Sequence, residues 1–142
     1  MARIGVDMWA SSDALHGAMQ GAFAAGAGRV EVVARSPDGR PVALSFGRPR
    51  RYVRGRVELA LRVRSTDLVL QSTAGDVLTI PDRGGTFDVA ELNTKLRERR
   101  MLEPNRSDLR LVPEPGLPVG RLLRVAGVAR RHLPELALER AR

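Results

Sequence analysis

The side chains that could perform acid–base or metal chemistry are few and widely spaced in this sequence. The chain has two histidines, His16 and His132, and no cysteine. Neither histidine has a second histidine or a carboxylate at the i, i+4 spacing of a helical metal site. Asp7 and Asp13 could form an acid pair, but no residue fixes their geometry, and capping or surface roles suit them better. The sequence therefore predicts no enzyme, no metal site and no cofactor.

Arginine is the second chemical feature. The net charge is +8, and Lys95 is the only lysine. Guanidinium groups pair bidentately with phosphate and carboxylate oxygens, so an arginine-rich stretch is a candidate binding site for an acidic partner or a nucleic-acid backbone. That stretch contains six candidate site residues: Arg48, Arg50, Arg51, Tyr52, Arg54 and Arg56. Two other interpretations stay open, namely an exposed linker and a genome that favours arginine codons.

Two amphipathic helices and two short strands are predicted between Phe87 and Leu138. Asp88 is placed to cap the first helix, with Glu91 three residues later and an apolar face of Val89, Leu92 and Leu96. A strand follows over 107–112, and Pro113 and Pro115 end it. Pro118 suits the first turn of the second helix, whose apolar face is opposite its arginines. The pattern from Leu136 to Leu138 predicts a last strand. The apolar positions of the second helix are Val119, Leu122, Leu123 and Ala126, and the arginines are Arg121, Arg124 and Arg131.

The preceding residues predict mostly strands. A strand is expected over 3–9, followed by a helix capped by Ser11 or Ser12 and ended by Gly26 and Gly28. A hairpin then turns at 36–39, a strand spans 57–63, and a second hairpin joins 67–71 to 77–80. The fold class is thus α+β, with a small mixed sheet and helices packed on one face.

The opening strand–helix–strand unit has the same order as the closing one. Matching Leu15 to Val119 and Met19 to Leu123 keeps both apolar stripes in register. We therefore predict a βαββ half-domain over 1–46, resembling the end of a preceding repeat, then a linker rich in arginine, proline and glycine over 47–56, and an α+β domain over 57–142. A half copy needs something to cover the edge of its sheet.

Length and composition bound the class of protein. The 142 residues are enough for one domain with a real hydrophobic core. Without cysteine, disulfides and thiol chemistry are excluded. No apolar run approaches the roughly 20 residues of a membrane-spanning helix, and no signal peptide is visible at the N-terminus.

The stretch 57–142 resembles the soluble domain of the ExbD/TolR family, the small subunits of proton-driven motors in Gram-negative envelopes. The residues that carry the resemblance are the Pro81-Asp82 loop, the helix FDVAELNTKLRERR, the strand over 108–112, the loop from Pro113 to Pro118 and the helix VGRLLRVAGVAR. Residues 3–46 resemble the latter part of a preceding copy.

The resemblance implies a non-enzymatic coupling module at the periplasmic face of the inner membrane. It would dimerise and engage a partner protein or peptidoglycan. The family's membrane helix with its proton-handling aspartate has no counterpart here, so no proton-handling residue is carried over. We expect either a soluble piece of a membrane-anchored protein or a relative with a changed role. The alternative from another class is an arginine-rich nucleic-acid-binding module.

Overall fold

The described part of the chain forms one mixed β-sheet and three helices. The computed structural model describes residues 1–35, 38–51 and 54–140. The elements are β1 Ala2–Val6, α1 Ser12–Ala24, β2 Arg29–Arg35, β3 Pro41–Gly47, β4 Leu59–Val63, β5 Asp67–Ser72, β6 Val77–Pro81, α2 Val89–Leu102, β7 Asp108–Pro113, α3 Val119–Ala129 and β8 Glu135–Leu138. The strand order in the sheet is β1-β2-β3-β8-β7-β4-β5-β6, which confirms the predicted α+β class.

One face of the sheet carries the core. Strand residues alternate between faces, and in β2, β4 and β7 every second residue is buried. The register brings Val30, Phe46, Leu136 and Leu109 into one row across four strands, and each of them is at most 1% exposed. The helices pack on this face. We call the opposite face, which carries most of the charged strand residues, the open face.

The helix ends follow the predicted capping chemistry. The Ser11 hydroxyl accepts from the Ala14 amide at the start of α1, and the Asp88 carboxylate accepts from the Glu91 amide at the start of α2 (3.1 Å). Gly26 follows α1 with φ +102°, a left-handed conformation that glycine adopts without steric cost. These three predictions are confirmed.

Two local predictions are wrong. Val89 is 41% exposed, because it is the first residue of α2 and only Leu92 and Leu96 of that helix are buried. Pro118 is the N-cap of α3 and precedes its first turn. The side chain of Arg121, on the side of α3 opposite its predicted apolar face, is only 11% exposed and is paired with Asp82.

The predicted order of strand, helix and strand occurs twice. Strand β1 runs through α1 into β2, with β1 and β2 parallel. Strand β7 runs through α3 into β8, with β7 and β8 also parallel. β3 is antiparallel to β2 and parallel to β8, so the two units point in opposite directions on either side of it.

The stretches 1–46 and 57–142 share this sheet and one hydrophobic cluster that draws on both. The turn residues Ser36 and Pro37 lie outside the described residues. Among the described residues, no helix has the length and hydrophobicity required to cross a membrane.

Candidate functional site: the β1 edge and the open face

Strand β1 is one end of the described sheet, and its outer edge has no paired strand among the described residues. The loop after it presents Trp9, which is 88% exposed. A tight turn fixes that loop, because the Asp7 carboxylate accepts from the Trp9 amide (2.8 Å) and the Asp7 carbonyl accepts from the Ala10 amide (3.0 Å). We call strand β1 together with Met8 and Trp9 the β1–Trp9 surface.

Two mainly apolar grooves meet at Trp9. The first, of about 630 Å³, follows the end of β1 and is lined by Gly5, Val6, Asp7, Met8, Trp9, Val33, Ala34 and Arg35. The second, of about 320 Å³, lies against the start of α3 and is lined by Met8, Trp9, Ser65, Leu117, Pro118, Gly120, Arg121 and Arg124. An exposed indole between two apolar grooves is the composition of a protein-binding surface, because tryptophan is enriched among the residues that dominate binding energy.

The loop that carries Trp9 is anchored to the start of α3. This helix has no side-chain cap, and the carbonyls of Ala10 and Met8 accept from its Val119 and Gly120 amides (both 2.8 Å). In return, the Ser12 amide donates to the Leu117 carbonyl (2.7 Å). These contacts hold the β1–Trp9 surface in a fixed position on the rest of the fold.

Arg48, the first residue of the predicted arginine site, binds acceptors of its own chain. Arg48 donates to the carbonyls of Phe23 (2.6 Å) and Ala27 (3.1 Å), at the end of α1, and its guanidinium stands 5.7 Å from the centre of the Phe23 ring. Cations suit this position because the helix dipole is negative there. Arg48 thus supports the fold locally.

Of the other candidate site residues, two are paired with carboxylates of the chain and two are exposed. Arg50 pairs with Glu135 (3.1 Å), and Arg56 pairs with Asp108 (3.4 Å). Arg51 and Arg54 are exposed. Tyr52 lies outside the described residues.

A charged trough crosses the open face beside Arg48 and Arg50. It has a volume of about 200 Å³ and also contains Arg29, Arg110, Asp108 and Glu135. Arg110 is 14% exposed and lies between two carboxylates, Glu58 (3.5 Å) and Glu139 (3.0 Å). The trough therefore carries both signs of charge. Its arginines Arg50 and Arg110 are compensated by the chain's own acids.

Glu58 is the charged residue buried most deeply among those described, at 5% exposed. Its Oε2 atom lies 3.5 Å from Arg110 and its Oε1 atom 3.9 Å from Arg56. The Oε1 atom and the buried Ser12 hydroxyl make no hydrogen bond within the described part of the chain. Buried charges require such compensation, and Glu58 thus fixes the position of two arginines.

Four described groups have shifted pKa values, and the hydrogen bond to Asp67 raises that of Arg64. Burial, followed by the positive charges of Arg97, Arg131 and Arg100, lowers the pKa of His132. A hydrogen bond from Arg64 lowers the pKa of Asp67. Partial burial pushes the pKa of Glu103 upward, but hydrogen bonds from Arg106 and Arg99 together outweigh burial and the net shift is downward. Burial and neighbouring arginines account for the other three shifts.

The four histidines and aspartates considered for catalysis each contact other groups of the chain. His16 is partly exposed and contacts Gln20 (3.4 Å), whereas His132 Nε2 lies 2.8 Å from Asn93 Oδ1. Asp7 holds the Trp9 turn, and Asp13 accepts from the Gly116 amide (2.7 Å). No group of three potential ligands among the described histidines and carboxylates could hold a metal ion.

Comparison with known proteins gives no family: no family model, no curated protein and no solved structure matches this chain. From the sequence alone, Trp9 could belong either to the core or to a contact surface. The signal that could have decided it is the Asp7-Met8-Trp9 order directly after a strand, since an aspartate there forms a turn with the backbone two residues on. Such a turn keeps the intervening loop outside the core.

Proposed function

We propose that this chain is a non-enzymatic binding module that engages a partner protein at the β1–Trp9 surface. The observation that carries the proposal is the 88% exposed Trp9 at the end of an unpaired edge strand. Leaving an indole in water forgoes about 1.5–3 kcal/mol of the burial energy available to a large apolar side chain. A partner that covers Trp9 recovers that energy.

The two edges of the sheet differ in a way that favours β1. In the β5–β6 hairpin, the Ser72 amide bonds to Asp76 and the Asp82 amide bonds to Thr66. Because bonded pairs alternate along an antiparallel ladder, residues 77, 79 and 81 direct their backbone groups outward. Position 81 is a proline and has no N–H, and proline is one of the devices that protect sheet edges.

Strand β1 lacks that protection. It contains no proline, and its one charged side chain, Arg3, is paired with Glu31 on the neighbouring strand (2.8 Å). Edge strands offer a row of backbone donors and acceptors to an extended chain. The β1 edge is therefore the more receptive of the two.

Charge favours an acidic partner over a second copy. The chain carries a net charge of +8, and Arg35 and Arg124 stand at the rims of the grooves beside Trp9. Like charges at an interface oppose association, and complementary charges speed it. The homodimer implied by the ExbD/TolR resemblance stays a prediction, as does engagement of peptidoglycan.

The setting we propose is the cell envelope, at the periplasmic face of the inner membrane. This part of the proposal rests on the resemblance of residues 57–142 to the ExbD/TolR soluble domain. The order of β4, the β5–β6 hairpin, α2, β7, α3 and β8 is the order on which that resemblance depends. We also propose that residues 1–46 correspond to the closing part of such a domain.

Site-specific photo-crosslinking in the native host tests the proposal. A photoreactive residue at Trp9 is expected to capture one discrete envelope protein, and a second probe at Arg3 the same protein. The matched control is Met101, which is 77% exposed on α2, far along the chain from β1. Identical adducts at all three positions, or adducts at Met101 alone, would contradict the proposal.

Nucleic-acid binding is the second candidate function, favoured by the +8 charge alone. The side chains of Arg48, Arg50 and Arg56 bind the chain's own carbonyls and carboxylates, so fewer guanidinium groups face a phosphate backbone. We expect no mobility shift of duplex or single-stranded DNA at low salt, where phosphate contacts are strongest. A shift that disappears steeply as salt rises would favour this second function instead.

A further inference from the structure

The two strand–helix–strand units of the fold have equivalent positions. In each, five residues separate the first strand from its helix, over 7–11 and 114–118. Counting from those loops, Ala2 corresponds to Leu109 and Ile4 to Leu111. The strand pairing agrees with this correspondence. Ala2 and Ile4 pair with Val30 and Val32 on β2, and their counterparts Leu109 and Leu111 pair with Leu136 and Leu138 on β8.

The backbone contacts between the two units relate them by an approximate two-fold rotation about an axis that passes through β3. The N-caps of the two helices form an antiparallel bridge, Ser11 with Pro118. The Ser12 amide donates to Leu117, and the Val119 amide donates to Ala10. Each of these bonds is the counterpart of the other under the same correspondence. In the helices, the same correspondence matches Leu15 to Leu122. The match expected from the sequence, Leu15 to Val119, is therefore wrong by three residues, or about one helical turn.

The units differ at one edge. Strand β7 has β4 beside it, parallel, with Ala60 facing Arg110 and Arg62 facing Val112. Strand β1, which corresponds to β7, has no such neighbour among the described residues. Consistent with that difference, Leu111 is fully buried, whereas its counterpart Ile4 is only half-buried.

We infer that the β1 edge accepts an extended segment of a partner chain, added parallel to β1 in the position that β4 occupies beside β7. The inference rests on the proposed function and specifies its ligand. The segment has β4's pattern: apolar side chains at alternate positions on the helix side, as Leu59, Leu61 and Val63 have, and small or polar ones on the open face.

The end of the accepted segment has a defined partner as well. Beside β7, the Glu114 amide donates to the Val63 carbonyl and the Glu114 carboxylate accepts from the Ser65 amide (both 2.8 Å). Asp7 corresponds to Glu114 and also carries a carboxylate. It stands where β1 ends, next to Trp9, so an added segment finishes against both side chains.

Cysteine pairing can test direction and register, because the chain has no native cysteine. The probe is the synthetic peptide of residues 57–65, VELALRVRS, with one cysteine at the position of Ala60 or Arg62. The protein variants are Arg3→Cys and Gly5→Cys, and a side chain at Gly5 meets nothing within 4 Å. Parallel addition aligns Gly5 with the Arg62 position and Arg3 with the Ala60 position.

We expect the disulfides of Gly5→Cys with the Arg62 position and of Arg3→Cys with the Ala60 position to exceed the two remaining pairings at least several-fold. The remaining pairings join Gly5→Cys to the Ala60 position and Arg3→Cys to the Arg62 position. An excess of the remaining pairings means antiparallel addition and would overturn the inference. Absence of peptide disulfides would do so too, and Gly5→Cys dimers formed without peptide would show that a second copy occupies the edge.

A control peptide with Asp at the positions of Leu59, Leu61 and Val63 should give no disulfide. A second control, the protein variant Val112→Cys, forms a disulfide with the peptide only if the peptide replaces the native β4 beside β7.

The two proposals fail separately. If photo-crosslinks at Trp9 persist in the host while the peptide pairs in the wrong direction or not at all, the binding function stands and strand addition is wrong. If Trp9 captures nothing in the host, the proposed function fails irrespective of how the peptide behaves.

Discussion

Gly120 shows how close contact between a loop and the start of a helix restricts a single residue. A Cβ at this position would lie 3.1 Å from the Met8 carbonyl oxygen, whereas a Cβ at Gly127 in the same helix would meet nothing within 4 Å. The glycine is therefore part of the anchor that holds the Trp9 loop against α3.

Paired glycine substitutions in α3 should have different effects on stability. Gly127→Ala should raise the free energy of unfolding by about 0.5–1 kcal/mol, because alanine is the better helix former. Gly120→Ala should lose that gain or destabilise the protein, because Met8 must move. Denaturant unfolding of both variants measures the difference. Equal stabilisation by the two would show that the contact at Met8 is not tight.

His132 should make stability depend on pH. Its folded pKa is lowered, below the ordinary value of about 6.5 expected in the unfolded chain. The unfolded chain therefore binds the proton first, and stability is lost as the pH falls through about 6.5 toward the folded pKa.

The variant His132→Gln should flatten the pH dependence of the free energy of unfolding between pH 7.5 and 5. His16→Gln is the matched control, because His16 is the other histidine and its ring contacts the exposed Gln20 in the same helix. Equal flattening in both variants, or a wild-type protein that gains stability on acidification, would contradict the assignment.

At the scale of elements, Arg121 ties α3 to two turns of the sheet. It donates to the Asp82 carboxylate through two nitrogens (2.9 and 2.7 Å) and to the Arg64 carbonyl (2.6 Å). Both partners of the pair are largely buried. Such a planar bidentate contact requires guanidinium and is lost with lysine.

We expect Arg121→Lys and Asp82→Asn each to cost about 2 kcal/mol of unfolding free energy, because lysine cannot make the bidentate contact and asparagine leaves a partly buried guanidinium without its counter-charge. The double variant should cost clearly less than the sum of the two single effects. Arg40→Gln, at an exposed ion pair, is the control and should have no measurable effect. Additive effects of Arg121 and Asp82 would show that they do not interact.

The elements were largely predictable because their signals are local. Alternation identified the strands, and cap residues such as Ser11 and Asp88 identified helix starts. The exceptions depend on contacts between distant residues. Arg121 could not be placed from helical periodicity, since its partner Asp82 is 39 positions away. Likewise, the pairing of β3 with β8 in the described structure joins Phe46 to Leu136 and Gly47 to Ala137, and neither segment carries a sequence pattern that indicates it.

The candidate site was less predictable than the fold. Charge density at 47–56 indicated a binding segment, but charge alone does not reveal whether a guanidinium faces solvent or a carbonyl of its own chain, as Arg48 does. The β1 edge becomes visible only when the whole sheet order is known. The sequence shows the residues of the arginine segment and of the β1 edge, and it predicts the strands in chain order. It does not show which strands pair in the sheet, and that pairing is what leaves the β1 edge open.

For the whole molecule, stretches 1–46 and 57–142 should unfold together. They share a sheet through β3 and β8 and one core. The start of α3 also depends on carbonyls from the first stretch. Amide hydrogen exchange at Val32 in β2 and Leu61 in β4 should thus report the same free energy of opening. A clearly smaller value for Val32 would indicate that the first stretch opens independently.

The central claim is that the β1 edge of the free protein is open to a partner strand. The most direct measurement is amide hydrogen exchange of the full chain with and without the 57–65 peptide. We predict that protection rises at β1, that the Trp9 indole signal shifts, and that β6 is unchanged. Unchanged β1 protection under saturating peptide, or protection gained at β6 in its place, would contradict the account.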